Sequence, residues 1–379
     1  MQIENQEVVM TGRFILLDTQ TNTNDPALAL DQRSGLLDAG SWHVRAQERV
    51  AGPERGVQTL SIGINGLEFL FSLTHGLSVV SGRCDGRFVG FDSPVSQLIH
   101  PALVDLHYKG NTGWHIGFNA LLVRCGLEYN GPPVQDVGPD GGAWTTLHGR
   151  VGYLPATFAA VELEPPAIIR LIGSVYETAV FGPNYRLDVC YELDGLTREL
   201  RIRDKIGAVD TQTRNAFLIY HTNFSAPLLS ADSRLLVPAW RIEGTDDAAE
   251  AEVDEATRLG PPQAGYSFRV FHCTPIADSA GRGHAMLYNP NESLAVDVSY
   301  DVETLPCFNL WKNLSARRDG YVVGLEPATN FANERPVERA AGRYAVIPRD
   351  GSYQTEVDMR FFTDTAAIDA HWGALQSLR

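Results

Sequence analysis

The chain has 379 residues, 44% of them hydrophobic, which is enough apolar material for a large core. Its 31 Lys and Arg stand against 46 Asp and Glu, a formal charge of −15. That balance argues against nucleic acid and anionic membrane as partners, because both attract a basic face.

No apolar run approaches the roughly 18 residues of a membrane span. The first seven residues have no basic start and no apolar stretch, so the expectation is a cytoplasmic chain without a secretory signal. The cysteines, Cys84, Cys125, Cys190, Cys273 and Cys307, are odd in number, far apart and without a CxxC pair. They read as free thiols in a reducing compartment.

In chain order, helical periodicity is scarce. Residues 25–38, which contain a proline, are one short candidate; residues 365–378, after Thr363 and Asp364 as caps, are the other. Residues 59–64 alternate, with Leu60, Ile62 and Ile64 on one face, and Asn65-Gly66 is a type I′ hairpin signal leading into 67–73. Residues 131–142 are rich in Gly, Pro and Asp and read as a loop. Strands follow at 167–175, 185–193 and 197–202, the last two joined at Asp194-Gly195. Residues 216–220 form an apolar run suited to a strand buried on both faces. The acidic stretch 243–255 reads as a solvated insertion. Further strands are expected at 265–272, 285–289, 294–300, 321–326, 342–347 and 352–362. With 35 Gly and 21 Pro as punctuation, this is an all-β, antiparallel pattern. The expected organisation is one domain over 1–379, with an N-terminal extension over 1–57, a core over 58–362 and a C-terminal helix over 363–379.

Three stretches can carry chemistry. His221 ends the apolar run 216–220 and is followed by Thr222, Asn223 and Ser225. A histidine at the mouth of a buried strand is dry enough to be tuned and near enough to a cavity to meet a ligand. The plain alternative is a core histidine bonded to a carbonyl. His148 follows a loop containing Gly138, Gly141 and Gly142 and precedes Gly149, over whose bare backbone a ligand can approach. Glu326 terminates the apolar strand 321–326. A buried carboxyl there is either paired or functional, and desolvation raises its pKa towards the range of a general base. Trp42, Trp114, Trp144 and Trp311 are candidates to stack on a sugar, with core packing as the alternative. His107 and His115, eight apart and near Asp105, lack a zinc spacing. His43, His272, His284 and His371 stand in no recognisable context.

Taken together, Leu147-His148-Gly149, Tyr220-His221-Thr222-Asn223-Phe224 and Leu325-Glu326-Pro327 resemble the working segments of the aldose 1-epimerase (galactose mutarotase-like) superfamily. Asp92-Ser93-Pro94, His100-Pro101, residues 121–127, Leu147 to Arg150 and residues 180–184 resemble a poorly characterised bacterial branch of it. The likeness runs from about residue 60 to residue 360. It implies a β-supersandwich of large antiparallel sheets. It implies acid–base opening of a free aldose, with Glu326 as base, His221 as acid and His148 on a sugar oxygen. Arg124 is implied as a further sugar contact, with a strand residue pointing outward as the equal alternative. The expected partner is a small carbohydrate held between Glu326 and His221; no metal and no cofactor is called for, and a homodimer is left open. The chain departs from the branch at His75, within His75-Gly76-Leu77-Ser78, and at His115, where that branch carries arginine. Losing a guanidinium removes a carboxylate or phosphate anchor. The expectation is a neutral sugar, with His75 and His115 lining its pocket. A lyase, a glycosidase or a sugar-binding module using the same cleft is the alternative; a glycosidase needs a second carboxylate roughly 5–10 Å away.

Overall fold

A computed structural model describes residues 12–137 and 143–378. The first seven residues and Gly138, Gly141 and Gly142 lie outside the described residues. Two large sheets, of ten and thirteen strands, carry the chain. Hairpins explain most of the ten-stranded sheet. Ile168–Glu177, Tyr185–Asp194 and Glu199–Ala208 pair in sequence order, and Glu199–Ala208 then takes Ser352–Phe362 as its other neighbour. At the expected turn Asn65 and Gly66 have φ of 47° and 86°, the left-handed pair that a type I′ turn requires. Asp194 caps the other turn by accepting from the Leu196 N–H at 2.8 Å.

The thirteen-stranded sheet holds the region of interest. Six central neighbours run in the order Arg269–Pro275, Cys307–Asn313, Val322–Ala328, Arg214–Phe224, Leu122–Leu127 and Ser78–Cys84. Every residue of Val322–Ala328 and of Leu122–Leu127 is buried, as a central strand covered on both sides must be. One face packs on the ten-stranded sheet. There Phe71, Tyr220, Phe308 and Leu325 meet Leu187, Tyr191, Ile202 and Val357 in the main core. The other face carries a smaller cluster built from Trp114, Phe118, Val123, Cys125, Ile219 and Val322.

Several sequence expectations need correction. Residues 25–38 are not a helix: they form a short strand, Ala29–Asp31, and a single 3-10 turn, Gln32–Ser34. The C-terminal helix does form, as Thr365–Gln376, with Asp364 capping it. Of the residues before 58, Gly12–Asp18 pairs with Phe158–Glu164 in one sheet, and Trp42–Glu48 pairs with Gln58–Ile64 in the other. The acidic stretch 243–255 is not wholly solvated, since Ala249 and, just beyond it, Ala256 are buried in the core. Neither His221 nor Glu326 ends its strand. Arg214–Phe224 runs three residues past the histidine, and Val322–Ala328 runs two past the glutamate.

Candidate functional site

Strand register alone brings the two principal residues together. Ile219 lies opposite Ala328 and Thr222 opposite Leu325, which sets His221 across from Glu326. On the outer sides, Val123 pairs with His221 and Asn309 with Glu326. His272 pairs with Asn309 one strand further on. Side chains alternate along each strand, so Val123, His221, Glu326, Asn309 and His272 form one row on the face away from the ten-stranded sheet.

Within that row His221 Nε2 is 3.3 Å from Glu326 Oε1. Gly324 makes this possible. It lies two residues before Glu326 on the same face, and a Cβ there would stand 2.5 Å from Glu326 Oε1. The bare glycine lets the carboxyl fold back along its own strand.

Both groups are nearly sealed, His221 being 5% exposed and Glu326 2%. Burial pushes the His221 imidazole down to about 3 and holds the Glu326 carboxyl well above the usual carboxylate range. No second carboxylate among the described residues contributes to the Glu326 shift. A carboxyl that burial biases towards its acid form thus touches an imidazole that burial biases towards its neutral form, without a hydrogen bond between them in this arrangement.

His148 completes the group from a loop. Its backbone has φ of 57°, a left-handed conformation that costs a non-glycine residue of order 1 kcal/mol. Two backbone bonds hold it there: its N–H donates to the Gly131 carbonyl at 2.9 Å, and its carbonyl accepts from the Gly126 N–H at 3.0 Å. Gly149 is needed for packing, not for a ligand, because a Cβ there would lie 2.4 Å from the Gly126 and Tyr129 carbonyl oxygens. The ring of His148 reaches 5.6 Å from that of His221. Burial, with His221 and then His115 adding to it, holds its pKa well below the ordinary value.

Unpartnered polar atoms concentrate here. Among the described residues, His148 Nδ1, His221 Nδ1, Glu326 Oε1, Asn223 Oδ1 and Trp114 Nε1 are buried without a hydrogen-bond partner. Each fully unpartnered atom costs about 1–3 kcal/mol; the His221 and Asn223 side chains also act on each other and Glu326 Oε1 touches His221, so His148 Nδ1 and Trp114 Nε1 are the atoms a polar ligand would relieve most.

The pair does not face a sugar-sized hole, contrary to expectation. The two side chains touch, and aromatic rings roof them. The turn Gly113–Gly117 and the residue after it lay Trp114 and Phe118 over His221, with centroids at 5.9 and 5.0 Å. Trp311 closes the side at 5.4 Å, and Trp114 stacks edgewise on His148 at 4.8 Å. Of the four tryptophans singled out, Trp114 and Trp311 are at the site; Trp42 is in the main core and Trp144 is exposed.

The remaining expected residues divide. Arg124 is outside the site. It sits one position from Val123 and Cys125, so alternation points it at the opposite face, where it is fully buried. Its Nη2 donates to Asp204 Oδ1 at 2.8 Å and its Nε to Asp204 Oδ2, while Nη1 donates to the Tyr191 hydroxyl at 2.7 Å. The guanidinium is thus committed to joining the sheets. His75 is also committed: Nδ1 meets Ser72 Oγ and Nε2 meets the Ile99 carbonyl, both at 2.7 Å. It lines a hollow of about 20 Å3 beneath Trp114 and Tyr153, room for about one water. His115 is exposed on the roofing turn, its ring 6.2 Å from Trp114. Phe118, Asn223, Asn309 and Gly324 were not among the expected site residues. Asn223 alone had a signal, its two-residue spacing from His221 on one strand.

No curated protein matches the chain. Solved structures do. A Klebsiella pneumoniae protein described as a "putative aldose 1-epimerase" is 25% identical, with a TM-score of 0.92 over 97% of this chain and 95% of that one. A galactose mutarotase-like protein from Clostridium acetobutylicum is 13% identical, with a TM-score of 0.59 over 86% and 98%. A galactose 1-epimerase from Lactobacillus acidophilus is also 13% identical, with a TM-score of 0.54 over 84% and 98%. The last two share the fold. The family described as a domain of unknown function (DUF4432) matches residues 54–361. The chain therefore belongs to that family and has a galactose mutarotase-like, all-β fold.

Proposed function

We propose that this chain is an isomerase of the aldose 1-epimerase type, acting on a neutral free aldose through Glu326 and His221. The observation that carries the reading is the buried contact of 3.3 Å between them, inside a ring of unpartnered polar atoms. Anomer exchange needs one proton removed from the C1 hydroxyl and one delivered to the ring oxygen. The hydroxyl O–H bond breaks as C1=O forms, and the C1–O5 bond breaks as O5 gains hydrogen. Rotation about C1–C2 and closure on the other face reverse both transfers. A pair holding one mobile proton conserves protons throughout.

The resemblance assigns Glu326 as base and His221 as acid. Burial favours the proton resting on Glu326. The two assignments differ by one transfer between the touching groups. His148 Nδ1, Asn223 Oδ1 and Trp114 Nε1 are the groups in place to bind sugar oxygens. Admission of a sugar requires the roof formed by Trp114 and Phe118 to lift.

The test is the approach to anomeric equilibrium of freshly dissolved neutral aldoses and uronic acids, followed by polarimetry. Wild type accelerates the neutral sugars, and Glu326→Gln loses about 10²–10⁴-fold of that rate while remaining folded. Acceleration that Glu326→Gln retains would sink the assignment. Preference for uronic acids would sink the neutral-sugar reading.

A further inference from the structure

Away from this site, two histidines and a carboxylate converge on the outer face of the ten-stranded sheet. His284 lies on Arg282–Asn289 and Asp297 on its partner Leu294–Asp301. Met286 is directly opposite Asp297, so His284 is its diagonal neighbour on the same face. His371 comes from Thr365–Gln376, on the helix face whose Ile368 and Leu375 pack against the sheet. Nδ1 of His284 and Nε2 of His371 each stand 2.9 Å from Asp297 Oδ2. The donor atoms of the three residues all lie within 4.8 Å of one another.

We propose that His284, Asp297 and His371 bind a divalent first-row transition metal, with zinc as the natural probe, and that the ion clamps the C-terminal helix to the sheet. Three observations support this. First, the donor set of two imidazoles and one carboxylate suits zinc or ferrous iron. Ligands held about 2 Å from one ion stand about 3 Å apart, close to the 2.9 Å between each ring nitrogen and Asp297 Oδ2; His371 is 23% exposed, with its ring stacked on Phe362 at 4.9 Å. Second, Asp297 Oδ1 is buried and has no hydrogen-bond partner, although the other oxygen of the same carboxylate is approached by both rings. Each carboxylate oxygen can accept two hydrogen bonds, so the two rings account for Oδ2 and leave Oδ1 as an open, buried ligand atom.

Third, the far side of His284 is arranged as an outer shell. Nε2 stands 3.2 Å from Asp278 Oδ2. Asp278 is itself fixed, its Oδ1 accepting from the Ala280 and Arg282 N–H groups at 2.8 and 2.9 Å. A neutral imidazole donating Nε2–H to a carboxylate leaves the Nδ1 lone pair facing Asp297 and His371. That is the tautomer a metal ligand needs, oriented as such ligands usually are. Without an ion, both ring nitrogens must carry protons to satisfy both carboxylates.

The experiment uses the full chain, stripped with a chelator and titrated with Zn2+ and, separately, Co2+. The expected result is one ion per chain, a rise in Tm with Zn2+, and visible cobalt bands without thiolate charge transfer, since no cysteine is among the ligands. His371→Asn, a change at a partly exposed helix position, should weaken binding more than about tenfold and abolish the Tm rise, with an unchanged circular dichroism spectrum. Failure of wild type to bind Zn2+ or Co2+ stoichiometrically would overturn the proposal. So would binding that His371→Asn leaves intact, or a cobalt spectrum showing thiolate ligation.

Discussion

His221 Nε2 and Glu326 Oε1 meet at 3.3 Å across two adjacent strands, directly opposite each other in register. Two touching groups that the proposed mechanism uses in one step act as a unit, and removing either disables that step. His221→Gln and Glu326→Gln should each cut anomerisation by about 10²–10⁴-fold. The double variant should be scarcely slower than the worse single one. Rates from polarimetry on the three proteins check this, and fully multiplicative losses would show that the groups act independently.

Gly324 should matter to activity more than to stability. An added methyl would stand 2.5 Å from Glu326 Oε1 and 3.1 Å from the Trp311 Cβ. The carboxyl is the movable end of a side chain, so it gives way and leaves His221. Gly324→Ala is expected to lose most of the rate with a Tm close to wild type. A folded Gly324→Ala variant at full rate would show that the folded-back carboxyl is unimportant.

The Arg124–Asp204 pair predicts the reverse. Both side chains are fully buried, and Tyr220 and Tyr191 stack around the guanidinium at 5.7 and 5.1 Å. Removing one partner strands a buried charge, which typically costs 3–5 kcal/mol. Asp204→Asn and Arg124→Met should each lose about that much in urea unfolding. Replacing both partners with apolar residues of similar volume should recover much of the loss.

His75 gives a pH signature. Burial is the main cause that lowers its pKa from 6.5 to about 4. As pH falls below 6.5 the unfolded chain takes up this proton, whereas the folded chain waits until about 4. Its contribution is therefore complete above pH 6.5 and declines through that window, by about 1.4 kcal/mol per pH unit. His75→Gln carries no such proton. The stability of wild type relative to the variant should drop by about 2 kcal/mol between pH 6.5 and 5, read from urea midpoints. A difference that stays flat with pH would contradict a neutral, buried His75.

Much of the fold was legible because its strands obey local rules. The alternation of residues 59–64, the Asn65-Gly66 turn and the Asp194 turn each act within a few residues. The 25–38 stretch misled because apolar spacing over a Pro-containing segment does not distinguish a helix from an edge strand. His148, His221 and Glu326 stand out in sequence by their strand-end or glycine-flanked context and by motif likeness, whereas their convergence depends on register between distant strands. Both readings of Arg124 turn on the face it takes, and its sequence position near the loop does not give that face. His75 looked available because neither of its ring partners, Ser72 Oγ nor the Ile99 carbonyl, announces itself in sequence. Trp114 stands out as a stacking candidate, but its place with Phe118 as a roof over His221 is set by an irregular turn that no periodicity announces.

Tyr220 and His221 are chain neighbours with opposite duties, one hydroxyl donating to Asp204 between the sheets and one imidazole touching Glu326 outside them. Inserting or deleting a single residue upstream in this strand would exchange their faces. An insertion would bring the phenol beside the glutamate and a deletion the imidazole beside the arginine, and either change would spoil both assemblies. Length changes should thus be forbidden here. The hairpin tip around Phe181, which is fully exposed, offers a natural place for a grafted tag or fused segment.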